Sequence, residues 1–394
     1  MKTLPPGATI GLLGGGQLAR MVALAGRRLG YHFVVWDLDA ACPAAPVADE
    51  VVMGDFHDET TAADFGSRVD RVTLEFENIP LATAERLERG PGLFPGSRVL
   101  ATCQHRAREK QFLRAEGVPC APFELVRSAA DVAAGFHSIR SGRAVLKTTS
   151  LGYDGRGQVK VGSAAEAVEA WHSLETDEAV LEAWVDYRCE CSVIVARGHD
   201  GRMEAFPMAE NLHEDHILSV SGCPARVPED IRRQGEEIAC HLADALGVVG
   251  LLAVEMFFTS DGRLWVNEMA PRTHNSGHYT FDATHVSQFE QQVRAVTGMP
   301  LGDVTLRQPV VMVNLLGQLW VDQIEPDWTV VLEHPRARLD LYGKAEARPG
   351  RKMGHFCLFG HDDSEAGMAR LWAEALELRQ RLQPDAPGPD PSRA

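Results

Sequence analysis

Residues 251–270 read LLAVEMFFTSDGRLWVNEMA. Two apolar runs flank Thr259-Ser260-Asp261-Gly262, and Asp-Gly between such runs is a strong short-range signal for a β-hairpin. With the turn centred between Asp261 and Gly262, counting outward places Glu255 directly opposite Glu268. Directly paired side chains have Cβ atoms about 4.5–5.5 Å apart. Two ionised carboxylates at that separation repel by roughly 3 kcal/mol at an effective dielectric near 20. Their neighbours Val254, Met256, Val266 and Met269 are apolar, so water alone does not relieve the repulsion. A shared proton or a shared cation does, and an all-oxygen ligand set suits Mg2+. The competing reading is an exposed hairpin whose glutamates splay into solvent, and the apolar flanks weigh against it.

Upstream, residues 144–147 (AVLK) form a strand ending in a cation, followed by TTSLGYDGRGQ (148–158) and a second strand, 159–161. A strand, a glycine- and hydroxyl-rich loop and a strand make a flap whose backbone N–H groups suit a triphosphate. Lys147 supplies a point charge and Arg156 a planar, permanently charged donor. The pattern G-x-x-x-x-G-K-[ST] is missing, and an ordinary hairpin loop with a surface lysine fits equally well. A magnesium ion held by two carboxylates completes its shell with water and phosphates, so the flap and the hairpin together imply ATP.

Residues 14–19 (GGGQLA) fit G-x-G-x-x-G/A between a strand (8–13) and a helix (17–29), with Asp37 at the end of the next strand. That arrangement suits a nicotinamide-dependent oxidoreductase. A glycine turn at a helix start attracts any phosphate, however, and Asp37 reads at least as well as a strand-end turn residue.

The remaining chain sets the frame. The 394 residues suggest two or three domains, and 45% hydrophobic with 24% charged residues is ordinary for a globular protein. A net charge of −16 disfavours nucleic acid and membrane surfaces as partners. Pro5-Pro6 and Gly14–Gly16 break the N-terminal stretch, which reads as neither signal peptide nor transmembrane span. Eight scattered cysteines without a C-x-x-C pair suggest reduced thiols and a cytoplasmic location. Alternating strands and helices predict a Rossmann-like parallel sheet over residues 1–105. A helix over 107–117, stopped by Gly117 and Pro119, opens a β-richer region, 106–303. A small β-rich module follows over 304–384, with strands at 310–315, 337–342 and 355–358 and a helix over 365–382. The Pro-, Asp- and Ser-rich tail 385–394 is expected to be disordered.

Four further stretches bear on chemistry. Residues 180–185 (VLEAWV) read as an adenine-contacting strand or a plain core strand, with Glu190 placed for a ribose. In RTHNSGH (272–278), Arg272 and His274 suit a small anion, Asn275 could add a metal oxygen and His278 reads as a core histidine. Lys344, Arg348, Arg351 and Lys352 form a basic cluster whose default reading is a solvated loop. Glu75 and Glu77 share a strand face near its end, where α/β sheets bind ligands.

In this order, the stretches GGGQLARM (14–21), EFENIP (75–80), GYDGRGQ (152–158), EAWV (182–185), NLH (211–213), NEMAPRTHNSGH (267–278) and RPGRKMG (348–354) resemble the 5-(carboxyamino)imidazole ribonucleotide synthase family of ATP-grasp enzymes. The resemblance runs from about Ile10 to Leu358. It implies an α/β and α+β chain with a Rossmann-like N-terminal sheet, a central ATP-grasp fold and the C-terminal module. It implies that ATP is held by Arg106, Lys147, the flap residues Gly152, Tyr153, Asp154, Gly155, Gly157 and Gln158, then Glu182, Ala183, Trp184, Val185, Glu190, His213, Asn267 and Glu268. Mg2+ is implied at Glu255 and Glu268. The imidazole ribonucleotide is implied at Gln17, Leu18, Glu75, Tyr153 and Asp154, its phosphate near Lys344, Arg351 and Lys352. Bicarbonate is implied near Arg156, Arg272 and His274. The implied reaction is the ATP- and bicarbonate-dependent carboxylation of 5-aminoimidazole ribonucleotide in purine synthesis, by a homodimer. A formate-dependent glycinamide ribonucleotide enzyme of the same fold would share the ATP site. The nicotinamide reading leaves Glu255, Glu268 and the flap without a purpose.

Overall fold

The computed structural model describes residues 3–150 and 157–382, and these form three sheets. The first contains β1 (Thr9–Leu13), β2 (His32–Asp37), β3 (Glu50–Met53) and β4 (Arg71–Leu74), all parallel, in the order β3-β2-β1-β4. Helices α1 (Gln17–Arg28), α2 (Glu59–Ser67), α3 (Leu81–Arg89) and α4 (Ser97–Cys103) accompany it. Alternate residues feed two cores. Ile10, Leu12, Phe33 and Val35 pack with α1, while Leu13, Val34, Trp36 and Val72 pack on the other side. Burial on both faces is the expected mark of a parallel sheet. Leu13 lies beside Leu74, so the glycine turn after β1 and the segment after β4 emerge together at the point where strand order reverses. Because β4 ends at Leu74, Glu75 and Glu77 sit in the loop beyond it, not on the strand.

Helix α5 (Arg106–Ala115) leads into the second sheet, and Gly117, at φ +66°, ends that turn in a left-handed conformation. Strands β5 (Phe123–Val126), β6 (Ala144–Thr148), β7 (Gln158–Val161) and β8 (Ala179–Ala183) pair antiparallel in the order β5-β8-β6-β7. Helices α6 (Ala129–Ser138) and α7 (Ala164–Ser173) start at Ser128 and Ser163, whose hydroxyls cap them. The expected flap is the β6–β7 connection. Gly152, Tyr153, Asp154, Gly155 and Arg156 lie outside the described residues, as does the tail 385–394.

The third sheet has nine strands: β9 (Tyr187–Arg197), β10 (Met203–Ala205), β11 (Ala209–Glu214), β12 (Ile217–Cys223), β13 (Gly250–Thr259), β14 (Leu264–Ala270), β15 (Val310–Leu316), β16 (Ala337–Leu341) and β17 (Lys352–Phe359). Its order is β14-β13-β9-β11-β12-β15-β17-β16, with β10 on β9. Pairing of β12 with β15 makes the C-terminal strands a continuation of this sheet, not a sheet of their own. Helix α8 (Glu229–Leu246) covers one end through Ala239, Leu242 and Leu246. Short α9 (Thr280–Ala283) precedes α10 (Gln288–Thr297), whose Phe289 and Val293 join the α1 core and so tie the first sheet to the third. At the other end, α11 (Thr329–Leu332) contributes Val331 and α12 (Glu365–Arg381) contributes Leu371 and Trp372 to one core.

The β13–β14 hairpin forms, by a different route from the simple count. Thr259 N–H donates to Arg263 O at 2.8 Å and Gly262 takes φ +84°, so the loop has three residues, Ser260-Asp261-Gly262. Near the turn the partners are Phe258↔Leu264, Phe257↔Trp265 and Met256↔Val266, one residue off the register of a two-residue turn. A bulge at Asn267 takes up the difference, and Glu255 faces Glu268 after all.

Candidate active site

The three sheets enclose a cleft of about 580 Å3. The first sheet contributes Gln17, Leu18, Glu75 and Glu77, and the second Lys147, Gln158, Glu182, Ala183, Trp184 and Val185. From the third come Glu190, His213, Glu255, Asn267, Glu268, Arg272, His274 and Lys352. Arg106 reaches it from α5.

Glu75 fills the start of α1. Its Oε1 accepts from Leu18 N–H at 3.3 Å, and a Cβ on Gly16 would collide with the same oxygen. Burial raises the Glu75 carboxyl, partly opposed by Arg272. Asp37 is a turn residue, accepting from Gly15 N–H at 2.6 Å and from Asp39 N–H at 2.9 Å. With both oxygens spent inside the turn, the dinucleotide reading loses its ribose-binding acid. Lys344 and Arg351 stand beyond the cleft wall. Burial, then the neighbouring Arg351, pushes the Lys344 ammonium down to about 8, with Glu75 opposing.

On the nucleotide side, Lys147 Nζ lies 3.0 Å from Glu182 Oε2, and Lys110 Nζ lies 3.4 Å from the same oxygen. Burial alone would raise the Glu182 carboxyl, but Lys110 and Lys147 outweigh it and bring it to about 2. Glu182 is thus the counter-ion that aims Lys147. Arg106 grips the base of the β6–β7 connection, donating from its backbone to Thr149 O and from its guanidinium to Thr148 O, both at 2.8 Å. Thr148 N–H in turn donates to Gly157 O. Glu190 pairs with His213 at 2.5 Å and accepts from Tyr187 Oη at 2.9 Å. Burial lowers His213, but Glu190 and Glu255 win and raise it.

Glu255 and Glu268 behave as a strained like-charge pair. Burial and the Glu255 charge raise Glu268, while Glu255 is lowered, His274 overcoming burial. His274 Nε2 lies 3.1 Å from Glu255 Oε1. Its Nδ1 faces the Ser276 hydroxyl at 2.8 Å and the Ser276 N–H at 3.4 Å. A backbone N–H can only donate, so the neutral ring carries its proton on Nε2, toward Glu255. Ser192 Oγ donates to Ser276 Oγ at 2.8 Å and itself accepts from Asn211 Nδ2 at 2.9 Å. Among the described residues no set of three His, Cys, Asp or Glu forms a full metal cage. Two facing carboxylates, of which Glu268 is raised by its neighbour, fit a dication that draws its other ligands from phosphate and water.

Arg272 Nε donates to Glu77 Oε2 at 2.5 Å, joining the third sheet to the loop after β4. Asn275 lines the cleft, but its amide is held by Asn314 and His278: Oδ1 accepts from Asn314 Nδ2 at 2.7 Å and Nδ2 donates to Asn314 Oδ1 at 3.1 Å. His278 is a fully buried core residue beside Tyr342. Sequence reasoning passed over Glu109, Lys110 and Ser192, and noted Glu77 only as a neighbour of Glu75 near a strand end, without its pairing to Arg272. Lys110 left a trace: Ala107, Lys110 and Leu113 recur every three residues along the buried stripe of α5. Burial raises the Glu109 carboxyl to about 8.

Family models match in chain order: a ribonucleotide synthetase preATP-grasp domain over residues 7–104, an ATP-grasp domain over 111–289 and a phosphoribosylaminoimidazole carboxylase C-terminal domain over 310–368. An N5-carboxyaminoimidazole ribonucleotide synthase of Bacillus subtilis is 42% identical over 360 residues, 91% of this chain and 93% of its own. The crystal structure of an ADP complex of N5-carboxyaminoimidazole ribonucleotide synthetase superposes with a TM-score of 0.88 at 40% identity, covering 98% of this chain and all of that one. The Aspergillus clavatus N5-carboxyaminoimidazole synthase, in complex with ADP and 5-aminoimidazole ribonucleotide, gives 0.85 at 29% identity, covering 95% and 99%. Taken with a cleft that gathers a lysine, facing carboxylates and a buried arginine, these likenesses leave one assignment: the chain belongs to the N5-carboxyaminoimidazole ribonucleotide synthase family of ATP-grasp ligases.

Proposed function

We propose that this chain carboxylates 5-aminoimidazole ribonucleotide, using ATP and bicarbonate. The observation that carries the reading is the meeting, in one cleft, of Lys147, the Glu255–Glu268 pair, Arg272 with His274, and Glu75 at the start of α1. Lys147 holds a phosphate oxygen, and Arg272 and His274 hold bicarbonate in line with the γ-phosphate. A bicarbonate oxygen bonds to the γ-phosphorus as the bond to ADP breaks, giving carboxyphosphate. That species breaks down to CO2 and phosphate in the water-poor cleft, and the exocyclic amine captures CO2, losing a proton to form the carbamate. Mg2+, held by Glu255 and Glu268, would supply charge neutralisation on the phosphates. Gln17, Leu18 and Glu75 orient the ribonucleotide, and Lys344, Arg351 and Lys352 attract its phosphate. The flap residues, including Tyr153, Asp154 and Arg156, complete the proposed site.

A homodimer and a cytoplasmic location complete the reading; the eight free cysteines support the latter, and sedimentation tests the former. The deciding experiment follows ADP release with ATP, Mg2+ and bicarbonate, with and without 5-aminoimidazole ribonucleotide. Strong stimulation that requires bicarbonate is expected. A requirement for formate and glycinamide ribonucleotide instead would overturn the substrate assignment while keeping the ATP site.

A further inference from the structure

We propose that Glu109 and Lys110, consecutive residues of α5, are positioning residues that clamp the backbone on either side of Glu268. The proposal rests on the metal reading above. Strand β14 is the edge of the nine-stranded sheet: Val266 N–H donates to Pro119 O in a one-residue bridge with Cys120, and among the described residues no further strand pairs with its outer side. Two of its backbone groups are capped by side chains from α5. Lys110 Nζ donates to Asn267 O at 3.0 Å, and Glu109 Oε1 accepts from Met269 N–H at 2.5 Å. Asn267 and Met269 flank Glu268, and Asn267 is the residue that the β13 register skips. Both side chains are buried, with relative exposures of 2% for Glu109 and 1% for Lys110.

A bulge on an edge strand is where backbone geometry is least fixed by the ladder, yet a ligand carboxylate must be held within about 0.5 Å of its working position. The clamp supplies that constraint. The same helix also reaches the other half of the site. Lys110 lies 3.4 Å from Glu182, which holds Lys147, and Arg106, one turn earlier, holds Thr148 and Thr149. One turn of α5 therefore sets the distance between the phosphate lysine and the facing carboxylates.

The test is calorimetric binding of ADP to the full chain in excess EDTA and in saturating Mg2+. The readout is the ratio of the two affinities. In wild type Mg2+ tightens ADP binding. In Glu109→Leu the metal's contribution falls about tenfold, while affinity in EDTA stays within about threefold. Glu109→Gln keeps an oxygen for Met269 N–H and retains the wild-type ratio. Should Glu109→Leu fail to fold, Lys110→Met is measured the same way, with the same loss expected. A wild-type ratio in a folded Glu109→Leu or Lys110→Met chain would overturn the clamp, as would equal loss in Glu109→Gln and Glu109→Leu. Wild type showing no effect of Mg2+ removes the metal reading, and this one with it.

Discussion

Glu268 and Lys344 have their chemistry set by burial and by the charges beside them. Glu268 opens into the cleft opposite Glu255, and burial with the Glu255 charge raises its carboxyl, which fits the cation proposed between them. Glu268→Gln keeps the shape and removes the charge, so ADP production should fall by about 10²–10³-fold with the melting temperature unchanged. A single-turnover assay beside a thermal melt checks this, and normal turnover would sink the metal assignment. Lys344 carries a pH prediction. Its ammonium is pushed down to about 8, so it is charged below that pH and neutral above it. The KM for the ribonucleotide should therefore rise between pH 7 and pH 9, as an attractive charge on the phosphate disappears. Bound phosphate favours the protonated amine, so kcat should change less than kcat/KM. Lys344→Arg, charged throughout, should flatten the profile; an unchanged slope in that variant would place the titration elsewhere.

At the scale of elements, the glycine turn after β1 shows how a motif is completed by another strand. Gly16 has φ −70°, open to any residue, so its need for glycine is steric and comes from Glu75, which lies where a Cβ would go. Gly16→Ala should displace Glu75 and raise the ribonucleotide KM roughly tenfold to a hundredfold, leaving ADP affinity unchanged. Equal loss of both affinities in titrations would mean a general folding defect. Nothing in GGGQLA announces Glu75, which is why the motif read equally well as a dinucleotide turn. The hairpin carries the same lesson in reverse. The apolar flanks and Asp-Gly were enough to pair Glu255 with Glu268, but a three-residue loop and a bulge at Asn267 are decided by backbone hydrogen bonding that composition does not encode. Periodicity located α1, α5 and α12 to within two residues, since each carries apolar positions at helical spacing and a residue that starts or stops it. Strand β5 and helix α6 passed unread because their segment is short and Ala-rich with little contrast between faces. Glu109 and Lys110 look like ordinary solvated helix charges until β14 and β8 pack over them, and nothing in the sequence around Glu182 shows that two lysines meet at its oxygen.

Across the whole molecule, the site exists only because three sheets converge, and the groups that span the gaps should transmit binding from one substrate to another. Arg272 follows β14 in the third sheet, and Glu77 follows β4 in the first. Their ion pair at 2.5 Å crosses that boundary. Burial would raise the Glu77 carboxyl, but Arg272 outweighs it and holds it low, so the pair is charged at neutral pH. Two residues before Glu77, Glu75 reaches the start of α1, where the ribonucleotide is proposed to sit. The 75–77 loop thus touches the start of α1, the proposed ribonucleotide end, with one carboxylate and steers Arg272, the arginine proposed to hold bicarbonate, with the other. A ligand shifts such a system only through contacts that differ between its two arrangements, and seating on Glu75 is such a contact. Glu77→Gln keeps a hydrogen bond to Arg272 but removes the charge that fixes it. In this variant the stimulation of ADP release by the ribonucleotide should shrink about tenfold, the order of a 1–3 kcal/mol coupling. Because the proposed nucleotide contacts lie outside the first sheet, the affinity for ADP should not move. Stimulation at the wild-type level in Glu77→Gln would show that Arg272 is oriented without help from the first sheet.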